Sequence, residues 1–206
     1  MRAKGESLEE FSDFFSKVGL AELKGIHKLI DDDDYRVLLG VEALACEAEE
    51  EFAQDHNSDA TEICESLIEK MKEALTSKSG EVWERGGKEA LRIRDLNISS
   101  LVTMTKMGLI VRKSEHGYMD HLFSDPDGNE GLALISYRDD IGKVTISLAD
   151  EIKGFSCKEV AEELWGESER GDHMRSGSPN GVRISEANFF HSVEYFTDRL
   201  VGALYG

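Results

Sequence analysis

The apolar residues of this chain change their spacing near Gly108, and this change constrains the fold more than any other feature of the sequence. Before that point they recur every three to four positions, as Val37 and Val41 do, which is typical of amphipathic helices. After it they come in short runs separated by glycine-containing turns, which is typical of strands. We therefore predict an α/β protein of the α+β kind, with a helical region over residues 1–107 and a small mixed-sheet domain over residues 108–206.

The second half contains strand-type runs and two helix patterns. The runs 131–137 and 143–148 flank a five-residue connection with a glycine, which favours an antiparallel hairpin. Ser156 and Glu159 form a capping box that opens a helix ending near Trp165. Further predictions are a helix over 81–107, strand pieces at 109–111 and 181–185, and a closing helix with an apolar face made of Phe189, Phe190, Val193, Phe196, Leu200, Val201 and Leu204.

Composition limits the environment and the partners of the chain. Its 206 residues carry a formal net charge of -18, which repels polyanions at long range. A nucleic acid or nucleotide would therefore have to bind at a local site that departs from this overall negative charge. The three cysteines lie far apart without metal-site spacing, which favours reduced thiols and a cytoplasmic protein. No run approaches the roughly 18 apolar residues of a membrane span, so we expect no membrane partner.

The loop of residues 166–181 is the strongest functional candidate. It holds four glycines, one histidine and two arginines between two predicted elements, so its backbone is expected to approach a ligand closely and to offer unbonded N–H groups. That make-up is typical of an anion-binding loop. The predicted substrate-binding residues are His173, Arg175, Gly171, Ser176, Gly177, Ser178, Arg170 and Gly166.

Several of these candidates have a structural alternative. His173 can donate to a phosphate oxygen, but an exposed loop histidine without a partner would look the same. Arg175 could bind a phosphate through charge-assisted contacts. Arg170 could do so too, or pair with a neighbouring glutamate. Gly166 could simply end the preceding helix, and Ser178 precedes a proline, as turn residues often do.

Two acidic segments invite a metal interpretation, and for both the structural alternative is favoured. The run Asp31–Asp34 concentrates carboxylates, but two-metal catalytic sites draw their ligands from separate elements, so a solvated run that caps a helix is the better interpretation. Residues 125–130 lack the spacing and final glutamate of an EF-hand, which favours a turn. We therefore predict no metal ligand in either segment.

One order of features stands out after residue 108. A hairpin ends in Val144-Thr145-Ile146-Ser147-Leu148, the helix 156–165 follows, and the glycine-rich loop then carries His173 and Ser176-Gly177-Ser178-Pro179. This order resembles the DHHA1 domain of DHH-family phosphoesterases, and the upstream helices are similar to the connector of such enzymes. The chain departs from the family pattern at Ala149, where relatives carry an arginine that helps to hold the substrate.

The resemblance implies a family of manganese- or magnesium-dependent hydrolases: RecJ-like single-strand exonucleases, oligonucleotide and cyclic-dinucleotide phosphodiesterases, and exopolyphosphatases. Their two metals belong to a DHH domain, and this sequence has no Asp-His-His string. The implied role is therefore the substrate-binding portion, which holds a nucleotide, oligonucleotide or polyphosphate and alone hydrolyses nothing. It would act with a DHH catalytic domain or a second copy of the chain, and Mn or Mg is expected only with that domain.

Two other functions stay open from the residues alone. The chain could be a non-catalytic, acidic protein-interaction module in which the helical half docks a partner and the glycine-rich loop is inert. It could also be a complete hydrolase with an unfamiliar site.

Overall fold

The structure is a computed structural model that describes residues 11–24, 33–54, 60–115, 119, 122–167 and 171–206. Its described part has six helices and a five-stranded mixed sheet. Four of the helices precede the first strand, and the whole confirms the predicted α+β class. The chain divides into two compact units, Met1–Ile93 and Arg94–Gly206.

The first unit is helical. Its elements are α1 (Ser12–Lys24), α2 (Asp33–Gln54), α3 (Ala60–Ser77) and the greater part of α4 (Gly80–Ser100). Apolar residues from these helices bury a common core, made of Phe14, Val37, Leu44, Met71, Ala74 and Val82. None of the described helices is both long enough and apolar enough to cross a bilayer.

The two described residues of the acidic run, Asp33 and Asp34, form ion pairs at the start of α2. Asp33 pairs with Lys78, and Asp34 pairs with Lys17. Both carboxylates lie in the first turn of α2, where negative charge is favoured by the helix dipole. The helix begins at Asp33, so Asp34 lies inside it; Asp31 and Asp32 lie outside the described residues.

The second unit contains the whole sheet. Its strands are β1 (Leu101–Met104), β2 (Leu109–Ser114), β3 (Ala133–Arg138), β4 (Lys143–Leu148) and β5 (Arg175–Gly177). They lie in the spatial order β1-β2-β3-β4-β5; β2 and β3 are parallel, and the other neighbouring pairs are antiparallel. The hairpin predicted from the two central runs is confirmed as β3–β4.

The structure corrects two predicted elements. The helix expected over 81–107 ends at Ser100, because residues 101–104 pair with β2 through a turn in which Gly108 takes a positive φ of 84°. The strand piece expected at 181–185 does not form. Instead, Arg175–Gly177 pairs with β4. The spacing of apolar residues does not indicate whether 175–177 or 181–185 pairs with the edge of the sheet.

Two helices cover one face of the sheet. They are α5 (Cys157–Trp165) and α6 (Glu186–Tyr205). Core residues of the two helices, among them Val160, Phe189 and Phe196, pack against the apolar side chains of β2, β3 and β4. The predicted apolar face of the closing helix is wrong at Phe190 and Val201, which are 44% and 40% exposed.

Candidate anion-binding site

The glycine-rich loop begins where α5 ends. The side chain of Ser156 caps that helix by accepting the Glu159 N–H at 3.3 Å, as the capping box predicts. At the other end Gly166 adopts a φ of 88° and donates its N–H to the Glu162 carbonyl at 2.9 Å. The geometry of Gly166 is that of a helix terminator, the alternative recognised from the sequence.

A tight turn over residues 172–175 forms the centre of the loop. Oδ1 of Asp172 accepts the N–H groups of Met174 at 2.7 Å and Arg175 at 2.8 Å. The Asp172 N–H in turn donates to the Arg175 carbonyl at 2.7 Å. Because one residue bonds the turn from both its side chain and its backbone, the segment that carries His173 has a defined conformation.

This turn closes the N-terminus of α5. The N–H groups of Cys157 and Lys158 donate to the carbonyls of His173 and Asp172, each at 3.0 Å. Glu159 donates to Ser156 Oγ, so the first three N–H groups of the helix all have partners in the chain itself. Within the loop itself, the expectation of unbonded N–H groups is wrong at Asp172, Met174 and Arg175, which also donate within the chain.

Two predicted serines point away from solvent. Ser176 lies in β5, is 3% exposed, and its hydroxyl contacts no hydrogen-bonding group within the described part of the chain. Ser178 is 7% exposed, and its hydroxyl accepts the Val144 N–H at 3.2 Å. In this conformation neither hydroxyl is presented to a ligand from solution.

The predicted glycines of the loop allow close packing within the protein. A Cβ at Gly171, which has a φ of 110°, would lie 2.4 Å from Ser176 Oγ. A Cβ at Gly177 would lie 2.7 Å from the Val144 carbonyl oxygen. Both positions therefore need glycine to bring the loop against β5 and β4, whether or not a ligand binds.

His173 and Arg175 are the predicted residues that the structure does bring to the surface. Both are exposed, and they lie two residues apart on the same turn. Arg175 is also the cross-strand partner of Ser147 on β4. Arg170 lies outside the described residues, so its predicted role stays a prediction.

The charge around the turn includes a carboxylate that the sequence analysis missed. The pKa of Asp172 is lowered first by the Arg175 N–H, then by the Met174 N–H and by the charges of His173 and Arg175. Its position at the start of an Asp-x-x-Arg string, flanked by glycine, is a usable sequence signal for such a turn. Beneath it, burial raises the pKa of the Cys157 thiol to about 12.

Lys143 is a second residue that the sequence did not point to. Its ammonium group donates to the carbonyls of Ser178 at 2.7 Å and Pro179 at 2.6 Å. The cation therefore holds the last part of the loop against the start of β4. No local pattern links positions so far apart in the chain.

The same unit contains a buried cationic centre at Arg112. This side chain is fully buried and uses all five of its N–H donors. It donates to the carbonyls of Asn97, Leu122 and Ser124 at 2.8, 3.0 and 2.6 Å, to Ser100 Oγ at 3.0 Å, and to the Asn97 side chain. Burial lowers its pKa to about 10, so it remains charged at neutral pH.

The acidic segment 125–130 folds as a turn, as predicted. Asp125 Oδ1 accepts the N–H groups of Asp127 and Asn129 at 3.0 and 2.8 Å, and its second oxygen accepts the Asn129 side-chain amide at 2.8 Å. Among the residues that the structure describes, no three His, Cys, Asp or Glu side chains converge as a metal site requires.

No protein-family model and no curated protein matches the sequence. The chain is similar to a crystal structure of an uncharacterized protein from Helicobacter pylori G27, with 14% identity and a TM-score of 0.29 over 90% of this chain. The chain spans about half, 53%, of that protein's length. A likeness at this level carries no argument about fold or function.

Proposed function

We propose that the second unit is the phosphate-binding portion of a DHH-family phosphoesterase, of the DHHA1 type, that acts on short single-stranded nucleic acid or nucleotide phosphates. The observation that carries the proposal is the turn 172–175, which holds the exposed side chains of His173 and Arg175 on a hydrogen-bonded backbone. The order of hairpin, helix, glycine-rich loop and closing helix supports it.

The chemistry of such a site depends on side chains. Because the N–H groups at the start of α5 already have partners, an anion would be held by the His173 imidazole and the Arg175 guanidinium. In a chain with a net charge of -18 these two groups have to act at short range. Binding should therefore weaken as salt rises.

The proposal assigns binding, and not hydrolysis, to this chain. Bond cleavage would need the two metals of a DHH domain, which would bring Mn or Mg with it. That domain, or a second copy of the chain, is the proposed protein partner, and a reducing cytoplasm is the proposed compartment. The ligands we expect are a nucleotide, an oligonucleotide or polyphosphate.

The experiment is a titration of the full chain with tripolyphosphate, AMP and a trinucleotide, followed by amide resonances. We expect shifts centred on residues 171–177, and a loss of affinity of roughly tenfold in His173→Ala or Arg175→Ala, the size of one charge-assisted hydrogen bond. The matched controls are His191→Ala and Arg94→Ala, which remove exposed residues of the same types elsewhere in the unit. Equal affinities for all four variants would refute the proposal.

One observation favours a second function, an acidic protein-interaction module with an inert loop. Helix α6 leaves Phe190, Val201 and Tyr205 exposed by 44%, 40% and 77%. Exposed apolar residues of this size on one helix are common at protein contacts. If the phosphate titration is silent while Phe190→Ser with Val201→Ser abolishes a defined self-association seen by sedimentation, this second function replaces the first.

A further inference from the structure

Asp172 bonds the turn through both its side chain and its backbone. Its carboxylate accepts the N–H groups of Met174 and Arg175 at 2.7 and 2.8 Å, and its own N–H donates to the Arg175 carbonyl at 2.7 Å. The two residues that follow His173 are therefore held by the residue that precedes it.

The turn is also fastened to the elements behind it. The carbonyls of Asp172 and His173 accept the first two N–H groups of α5, and the Met174 carbonyl accepts the Leu148 N–H at 2.8 Å. The Cys157 thiol adds a fourth contact, to the Met174 carbonyl at 3.3 Å. The backbone that carries the two cationic side chains is thus ordered before any ligand arrives, which lowers the entropic cost of binding.

Asp172 has a second effect that opposes the first. Its carboxylate lies close enough to His173 and Arg175 for their charges to lower its pKa. By the same proximity, its negative charge weakens the attraction of those two residues for an anion. The ordering of the turn and the repulsion of an anion therefore act in opposite directions on binding.

We propose that Asp172 is the positioning residue of the anion site: its carboxylate geometry sets the turn that presents His173 and Arg175, and this gain exceeds the cost of its charge. The inference rests on the proposed function, because it assigns a role within that same site. The geometry of the Asp172 side chain and its charge have opposite effects on binding, and each can be changed without the other.

Two substitutions make the separation. Asp172→Asn keeps an oxygen at the Oδ1 position and removes the charge, whereas Asp172→Glu keeps the charge and displaces the oxygen by one methylene. We expect the dissociation constant for tripolyphosphate at low salt to fall in Asp172→Asn, because the geometry is kept and the repulsion is removed. In Asp172→Glu it should rise about fivefold to tenfold, the effect of losing side-chain caps of this kind.

The matched control is Glu167→Gln, which removes an exposed charge from the same loop without touching the turn. Hydrogen exchange of the Cys157 and Lys158 amides gives a readout that does not depend on ligand. It should be protected in the unaltered protein and in Asp172→Asn, and faster in Asp172→Glu. This second measurement decides the matter even if one variant loses stability.

The outcomes separate this inference from the proposed function. If Arg175→Ala weakens binding but Asp172→Glu does not, Asp172 is not a positioning residue, and the site itself stands. If Asp172→Asn weakens binding as much as or more than Asp172→Glu, the charge contributes at least as much as the geometry, which also overturns the inference. If the unaltered protein binds none of the phosphates, the proposed function and this inference fail together.

Discussion

Two arginines of the second unit, Arg112 and Arg175, have opposite surroundings, because one is buried and the other is exposed. Arg112 is fully buried in the middle of β2, and each of its five donors meets an oxygen of the protein. Arg175 lies at the start of β5 on an ordered turn, with its side chain exposed. Both are well placed, but only the second is positioned to meet a molecule from solution.

The difference teaches that exposure, and not the presence of a cation, separates an arginine that can only stabilise the protein from one that a ligand can reach. A guanidinium with five internal acceptors has nothing left to offer a ligand. Its removal, by contrast, leaves carbonyl groups buried without a donor. The two arginines should therefore respond to substitution in opposite ways, one in stability and the other in affinity.

The largest expected effect is the loss of stability in Arg112→Leu. We expect the free energy of unfolding to fall by about 3–5 kcal/mol, because the carbonyls of Asn97, Leu122 and Ser124 lose their donor inside the protein. Urea unfolding followed by circular dichroism measures it. Arg94→Ala, which removes an exposed arginine, should change stability by less than about 0.5 kcal/mol. A similar small change in Arg112→Leu would contradict the comparison.

Much of the second unit is predictable because its signals are local. The strands β3 and β4 follow from their apolar runs, and α5 follows from the Ser156 capping box. By contrast, β1 was assigned to a helix, because Leu101–Met104 continues an apolar spacing and only pairing with β2 makes it a strand. The oxygens that accept from Arg112 lie in two segments, residues 97–100 and 122–124, on either side of it in the chain, so no single window of sequence could show them.

The candidate site divides in the same way. The sequence pointed to the loop, to its glycines and to the two side chains that are exposed, because residue type alone carries that information. It missed that the loop would fold back and occupy the start of α5 with the carbonyls of residues 172 and 173. That contact depends on the packing of the loop against a helix fifteen residues earlier, which no spacing rule describes.

The second-largest expected effect is a loss of stability in Gly171→Ala, which tests whether the loop around Arg175 is as tightly packed as the surroundings of Arg112. Gly171→Ala should destabilise the protein by about 2–3 kcal/mol, because it combines a positive φ with a Cβ 2.4 Å from Ser176 Oγ. Gly181→Ala is the matched control: its φ is also positive, at 79°, but nothing lies within 4 Å. It should cost about 1 kcal/mol. Equal losses would mean that the Ser176 contact contributes nothing.

The smallest effect is the response of the two regions to acid. The hydrogen bonds of Asp172 lower its pKa in the folded protein, so its stabilising contribution is complete above the ordinary aspartate pKa of about 3.9 and is lost as the pH falls through the folded value. Arg112, with a pKa of about 10, keeps its charge throughout that range.

Acid should therefore loosen the turn around Arg175 before it disturbs the centre around Arg112. Between about pH 5 and pH 3, the Cys157 and Lys158 amides should lose protection, measured as their hydrogen-exchange rate relative to the intrinsic rate at each pH. The Nε–H of Arg112 should stay protected over the same range. Asp172→Asn should remove the pH dependence of the two amides, because its side chain cannot titrate in this range and still offers the oxygen acceptor. If the amides and the guanidinium lose protection together, the two regions unfold as one unit, and the contrast between Arg112 and Arg175 would not extend to their local stability.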